Sequence, residues 1–279
     1  MNVHSTERTA DSNQTGGTSR AADPTQADPM SRADPQSGSL VVVGIGPGHP
    51  LDRTRRAEAA IRDADLVVGY DLYLDHVADL LEGKERFGSG MRAEVERCRA
   101  ALAAAASGRR VALVSSGDAG IYGMAGLALE MARAEGFQVP IRVVPGVSAA
   151  SAAAAGLGAP LMLDWACLSL SDLMLDWAVI RARLEAVATA DLVLALYNPR
   201  SHRRVRQLEE AVAILRRHRP DTTPAAVATA VGGPDEQFQL CTLDRLLDQE
   251  IGMRSLVIVG NRSSRIDGGW FITPRGYRL

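Results

Sequence analysis

Four apolar, strand-like runs in this chain each end in a tight turn of small residues, and no other feature restricts the fold as much. The turns are Val41-Val42-Val43-Gly44-Ile45-Gly46-Pro47-Gly48, Ser115-Ser116-Gly117-Asp118-Ala119-Gly120-Ile121-Tyr122-Gly123-Met124, Val144-Pro145-Gly146-Val147-Ser148-Ala149-Ala150 and Ala195-Leu196-Tyr197-Asn198-Pro199-Arg200-Ser201. Turns of this kind gather along one edge of an α/β sheet, where such sheets bind ligands. Glycine there lets the backbone approach a ligand closely.

Around these turns strand and helix alternate. Residues 40–43, 66–68, 110–114 and 141–144 read as strands, and 54–62, 93–106 and 121–135 as helices. Short apolar runs between helices predict a parallel sheet covered on both faces. Ser148 is placed to cap the helix that follows it. Residues 156–160, Gly-Leu-Gly-Ala-Pro, read as a hinge. Beyond it, strands are expected at 166–170, 192–196, 225–230, 237–241, 256–259 and 271–273, with helices at 177–188, 203–217 and 243–249. Two strands in succession around Gly232-Gly233-Pro234-Asp235 imply a mixed sheet. The expected architecture is two α/β domains, 39–158 and 159–279, with a ligand cleft between them. Residues 1–38 are rich in Ser, Thr, Asp, Pro, Gln and Gly and read as a disordered tail. The hexapeptide Leu-Met-Leu-Asp-Trp-Ala occurs twice, at 161–166 and 173–178, with no sequence-level reason for the repetition.

Composition removes several functions. The net charge is −2, so no basic field points to nucleic acid. The three cysteines are far apart and form no Cys-x-x-Cys pair, which fits a reducing cytoplasm. No apolar run has the length of a membrane span, and no signal-peptide layout opens the chain. The five histidines lack metal-ligand spacing, so no metal is expected; His49, in the first glycine turn, is the one kept as a catalytic candidate. Lys84 is the only lysine, and the remaining cations are arginines, whose planar forks suit a polycarboxylate.

The Gly44-x-Gly46-x-Gly48 turn does not make a dinucleotide fingerprint, because its third glycine would fall at His49. Asp118 has two readings: a helix cap, or a carboxylate at the mouth of the cleft. Asp172, in Ser169-Leu170-Ser171-Asp172, is a cap or turn residue on one reading and a proton-handling group on the other. Arg200 is a solvated arginine or a partner for a substrate carboxylate. Trp165, Trp177 and Trp270 are read as core residues, with stacking on a flat ligand as the alternative.

In order and content the four blocks, with Ser169-Leu170-Ser171-Asp172 and the closing Gly268-Gly269-Trp270 and Thr273-Pro274-Arg275-Gly276-Tyr277, resemble the tetrapyrrole methylases. Within that family they look most like the precorrin-3B C17-methyltransferases of cobalamin synthesis. The resemblance implies the methylase fold, S-adenosylmethionine (SAM) as methyl donor, a tetrapyrrole acceptor that is methylated at C17 and ring-contracted to precorrin-4, no metal cofactor, and a cytoplasmic homodimer. It places Pro47, Gly117, Asp118, Ile121, Ser148, Ala149, Tyr197, Asn198 and Ala228 or its neighbours against SAM, and puts Asp172 and Arg200 in the substrate region as catalytic candidates beside His49. The chain departs from the family pattern where Met162-Leu163-Asp164 replaces Gly-His-Asp, Leu175-Asp176 replaces Thr-Pro, Thr229-Ala230 replaces Arg-Asn, and Ala119 replaces proline. The second-domain departures are expected to cluster at the acceptor site, and Ala119 is a mild change. They leave two alternatives open: a paralogue with a different small-molecule acceptor, or a SAM- or tetrapyrrole-binding protein without turnover.

Overall fold

The computed structural model describes residues 38–202 and 204–278. The expected tail, up to residue 37, lies outside the described residues. The first sheet has five parallel strands in the order β3-β2-β4-β1-β5. They are β1 (Ser39–Gly44), β2 (Leu66–Tyr70), β3 (Glu85–Ser89), β4 (Arg110–Ser115) and β5 (Ile141–Val144), interleaved with α1 (Arg55–Asp63), α2 (Asp71–Asp75), α3 (Glu94–Ala106) and α4 (Ala125–Ala134). The period of two in a strand explains the continuous apolar runs. Leu40, Val42, Leu66, Val68, Val111 and Leu113 pack against α3 and α4 on one face. Val43, Val67, Ala112 and Val114 pack against α1 and α2 on the other.

From β5 the chain enters α5 (Ala149–Leu157), then β6 (Gly158–Ala159). The second sheet, β10-β9-β11-β8-β7, contains β7 (Trp165–Ser169), β8 (Val193–Tyr197), β9 (Pro224–Thr229), β10 (Gln237–Thr242) and β11 (Ser255–Val259). β7 and β8 are parallel, and β11 runs antiparallel to both β8 and β9, so the sheet is mixed as expected. Helices α6 (Trp177–Thr189) and α7 (Arg206–His218) cover one face through Ile180, Leu184, Leu208 and Leu215, against Leu194, Leu196, Val227 and Val257. α5 covers the other through Ala150, Ala153 and Leu157, against Ala195, Ala226, Ala228 and Ile258. A helix that begins at the end of the first sheet therefore packs on the second. Its alanines, and small residues in the strands beneath, bring helix and sheet close together. β12 (Arg265–Asp267) and β13 (Trp270–Ile272) complete a small third sheet with β6.

The residues expected to hinge are not a free linker: Gly158 and Ala159 pair in parallel with Phe271 and Ile272. The repeated hexapeptide enters a strand in its first copy and a helix in its second. Trp165 opens β7, whereas Asp176 caps α6 by accepting from the Ala178 N–H at 2.9 Å. Tertiary context overrides identical local propensity. Asp176 thus performs a local capping task where the family has proline. Of the three tryptophans only Trp177 packs in the core, its Nε1–H donating to Glu210 at 2.8 Å. Trp165 is 38% exposed and Trp270 55%, because each sits on a short or edge strand with no layer above it.

β7, β8 and β9 run in the same direction, since β11 is antiparallel to both β8 and β9. Leu163 precedes β7, whereas Thr229 ends β9. The departures at these two positions therefore lie at opposite ends of the sheet and do not cluster as expected. Ala230 carries a left-handed backbone, φ 50°. Such a conformation costs an L-residue roughly 1–2 kcal/mol and is tolerated best by glycine and asparagine. The family asparagine thus has a backbone reason to be there. Ala230→Asn is expected to raise stability by about 0.5–1 kcal/mol, read as a higher urea midpoint at unchanged slope.

Candidate active site

β1 and β4 are neighbours, yet their onward connections pass over each other's strand on opposite faces of the sheet. This is a topological switch point, the place where open α/β sheets bind ligands. Its floor is glycine backbone. Gly46 N–H donates to Gly117 O at 3.1 Å, and Gly117 N–H returns a bond to Gly46 O at 2.7 Å. Gly117 has φ 63°. A Cβ on Gly44 would stand 2.7 Å from Gly146 N and 2.8 Å from Gly117 O, and one on Gly146 only 2.1 Å from Gly117 O. The ends of β1, β4 and β5 therefore close on one another without side chains.

Asp118 ties this floor together. Its Oδ1 accepts from Gly120 N–H at 2.8 Å and its Oδ2 from Gly146 N–H at 3.0 Å. It does not cap α4, which starts at Ala125; Tyr122, with φ 53°, breaks the helix expected from 121. Ser148 is buried and caps α5, its Oγ accepting from Ser151 N–H at 3.1 Å, and Ala149 is half-buried beside it. The Tyr197 hydroxyl accepts from Ala150 N–H at 3.0 Å, joining β8 to the start of α5. Ile121 is 40% exposed on the β4 loop, and Pro47 is half-buried near Gly232 of the β9–β10 turn. The structure thus brings Gly117, Asp118, Ser148, Ala149 and Tyr197 into one bonded or contacting set, while Pro47 lies against Gly232. Ala228 stands apart: it is fully buried beneath α5, and the half-buried Thr229 and Ala230 hold the strand end instead.

On the second-domain side, Asn198 (φ 51°) donates through Nδ2 to Ser169 Oγ at 2.9 Å. Asp172 is exposed and accepts from Gln207 Nε2 at 2.8 Å. Arg200 stands 3.9 Å from Glu209, and its buried Nε has no partner among the described residues. His49 is exposed and serves its own turn, Nδ1 accepting from Leu51 N–H at 3.1 Å. Among the described residues, no side-chain hydrogen bond links these last three to the glycine floor.

Two features escape sequence reading. Arg53, 5% exposed, holds Asp79 with both fork nitrogens at 2.8 and 2.9 Å and so fixes the base of the first glycine loop. Tyr122 crosses to the second domain: its hydroxyl donates to Cys167 O at 3.3 Å and its ring lies 5.2 Å from that of Tyr197. The glycines flanking Tyr122 are the one sequence signal of its unusual backbone.

Burial pushes the thiols of Cys98 and Cys241 up to about 11, and raises that of Cys167. Since the thiolate is the reactive form, Cys98 and Cys241 are expected to resist iodoacetamide at pH 8 in the native protein and to react within minutes in urea, as read by mass spectrometry. Among the described residues no three His, Cys, Asp or Glu side chains come together as metal ligands would. No helix among them is long and apolar enough to cross a membrane.

The family model for Tetrapyrrole (Corrin/Porphyrin) Methylases matches residues 39–247. This chain is a tetrapyrrole methylase. The resemblance drawn from the four blocks is thereby borne out. The methylase is 45% identical over 240 residues to the probable cobalt-factor III C(17)-methyltransferase of Salmonella typhimurium, covering 86% of this chain and 100% of that protein. It is 39% identical to the precorrin-3B C(17)-methyltransferase of a Sinorhizobium species, covering 86% of this chain and 98% of that one. A longer relative, the cobalt-factor III methyltransferase of Priestia megaterium, is 42% identical, and the methylase spans 45% of its length. Among solved structures, that of the methyltransferase CobJ superposes with a TM-score of 0.80 at 37% identity, over 85% of this chain and 100% of that one. The fold and the mixed second sheet are those of this family.

Proposed function

We propose that this methylase transfers the methyl group of SAM to C17 of precorrin-3B or of its cobalt-bearing counterpart, with ring contraction to the precorrin-4 level, in cobalamin biosynthesis. The observation that carries the reading is 45% identity along the whole length of the Salmonella relative. The chemistry of the site is compatible with it. Residues 44–48, 115–124 and 144–150 contain no lysine or arginine and one carboxylate, Asp118. A sulfonium cation fits a floor of backbone, a carboxylate and the aromatic rings of Tyr122 and Tyr197; a phosphate-bearing dinucleotide would lack a cationic partner there.

SAM, when bound, supplies an already activated methyl group. The protein's residues then have to align, approach and exclude water. The glycine floor and the Asp118 staple hold the donor side rigid. Tyr197 and Asn198, at the end of β8, form the facing wall. Arg200, with its fork beyond β8, pairs with an acceptor carboxylate, and Asp172 is the group placed to move a proton during ring contraction. Cytoplasmic location and a homodimer belong to the same proposal; sedimentation at micromolar concentration is expected to give twice the chain mass.

The test is anaerobic incubation with methyl-labelled SAM and each acceptor in turn. One added methyl group with the absorption of a contracted ring supports the proposal. SAM bound but no label on either acceptor refutes it and favours a different acceptor, with Thr229 in place of the family arginine as the first residue to revert. Leu163→His, at the far end of the sheet, is expected to leave kcat/KM within about twofold, whereas Thr229→Arg lowers the acceptor KM.

A further inference from the structure

We propose that Tyr122 is a positioning residue that latches the donor-side loop of the first domain to the open edge of β7 in the second, and so sets the distance between methyl donor and acceptor. Three observations carry this. First, a bulky aromatic residue at φ 53° is a backbone outlier, and such outliers persist where surrounding structure over-determines them. Core burial does not hold Tyr122, whose surface is 56% exposed. Second, its hydroxyl meets a group that the sheet leaves unpaired. Asp164 O and Leu170 N–H bond toward β8. Alternation then turns Cys167 O and Ser169 N–H outward, at the edge of the sheet. The hydroxyl donates to Cys167 O at 3.3 Å and fills that edge position as a strand would. Third, its ring leans on Tyr197 at 5.2 Å, and Tyr197 holds Ala150 at the start of α5. One side chain thus joins the β4–α4 loop, β7, β8 and α5.

The hydroxyl is partly withdrawn from water by the β7 edge it meets. That partial burial, followed by the nearby Cys167, pushes the phenol up to about 12, against an opposing hydrogen bond from Ser169. Tyr122 therefore stays protonated and donates throughout the physiological range.

The catalytic half of this inference rests on the methyl-transfer reading; the latch itself does not. Two variants separate them. Tyr122→Phe keeps the ring and deletes the donor. Tyr122→Gly deletes the side chain and also relieves the left-handed backbone, so its Tm is expected not to fall. Hydrogen exchange of the full chain, read on a peptide covering 165–170, reports the latch without substrate. In Tyr122→Phe we expect exchange there to speed about fivefold, the worth of one ordinary hydrogen bond. We expect kcat to fall about tenfold with SAM affinity within twofold, and about a hundredfold in Tyr122→Gly. Unchanged exchange in Tyr122→Phe overturns the latch; faster exchange with unaltered kcat overturns its positioning role. If the unaltered protein transfers no methyl group to either acceptor, the methyl-transfer reading fails, and exchange alone decides whether the latch exists.

Discussion

Gly146→Ala is expected to be the most damaging single-methyl change in the first domain. The added carbon would lie 2.1 Å from Gly117 O and 2.7 Å from Gly44 C, both backbone atoms that cannot swing aside. Relief requires the end of β5 to move away from the ends of β1 and β4. Overpacking of this kind typically destabilises by about 1–3 kcal/mol. The displaced loop is the floor on which the donor is proposed to lie, so SAM affinity is expected to fall about a hundredfold, equivalent to ~2.8 kcal/mol. Calorimetric titration with SAM and a urea melt read the two effects. Gly126→Ala is the control: it lies in the first turn of α4 with nothing near the added carbon. It is expected to stabilise by about 0.5–1 kcal/mol through helix propensity, with SAM affinity unchanged.

Asp118→Ala is expected to have the second-largest effect. Both carboxylate oxygens are occupied by backbone N–H groups, one within its own turn and one on the neighbouring loop. Hydrogen bonds to a charged acceptor are worth about 1.5–3 kcal/mol each, and truncation leaves the Gly146 donor unpaired. A loss of about 2–4 kcal/mol of stability is expected on the same footing. Asp118→Asn retains one acceptor oxygen and should fall between Asp118→Ala and the natural residue. If Asp118 acts only by touching the ligand, Asp118→Ala will weaken SAM binding while leaving the urea midpoint where it was. The staple geometry predicts that both change together.

The fold was legible in the sequence wherever a strand is buried on both faces. Leu40–Val43, Val111–Val114, Val193–Leu196 and Leu256–Val259 are apolar throughout because helices cover both sides. β3 was not legible: Glu85-Arg86-Phe87-Gly88-Ser89 has one large apolar residue, which suffices for an edge strand. β6 has two residues, and only its partner β13 makes it a strand. α4 starts four residues later than the sequence pattern predicts, because Ile121 and Tyr122 continue an apolar helical pattern that the left-handed turn at Tyr122 interrupts.

At the site, the glycine turns were readable because backbone crossings demand glycine wherever the chains meet. What the residues do there was less so. Asp118 offers a helix cap or a cleft carboxylate in the sequence; it caps no helix, and one of its partners is 28 residues away across the switch point. His49 stood out by position and proves to support its own turn. Tyr122 was invisible because its partner Cys167 is 45 residues distant and in the other domain. The apparent grouping of Leu163 and Thr229 dissolved for the same reason: the direction of β7 and β9 separates positions that seem related only by family pattern.

A cation-free floor at the switch point is proposed to hold SAM so that its methyl group reaches C17 of the macrocycle. The most direct measurement is carbon-13 NMR of the product formed by the full chain from methyl-labelled SAM and precorrin-3B or cobalt-factor III. A single enriched methyl signal attached to C17 of a contracted ring is expected. Enrichment at another ring carbon, or a labelled product that does not form despite bound SAM, would contradict it.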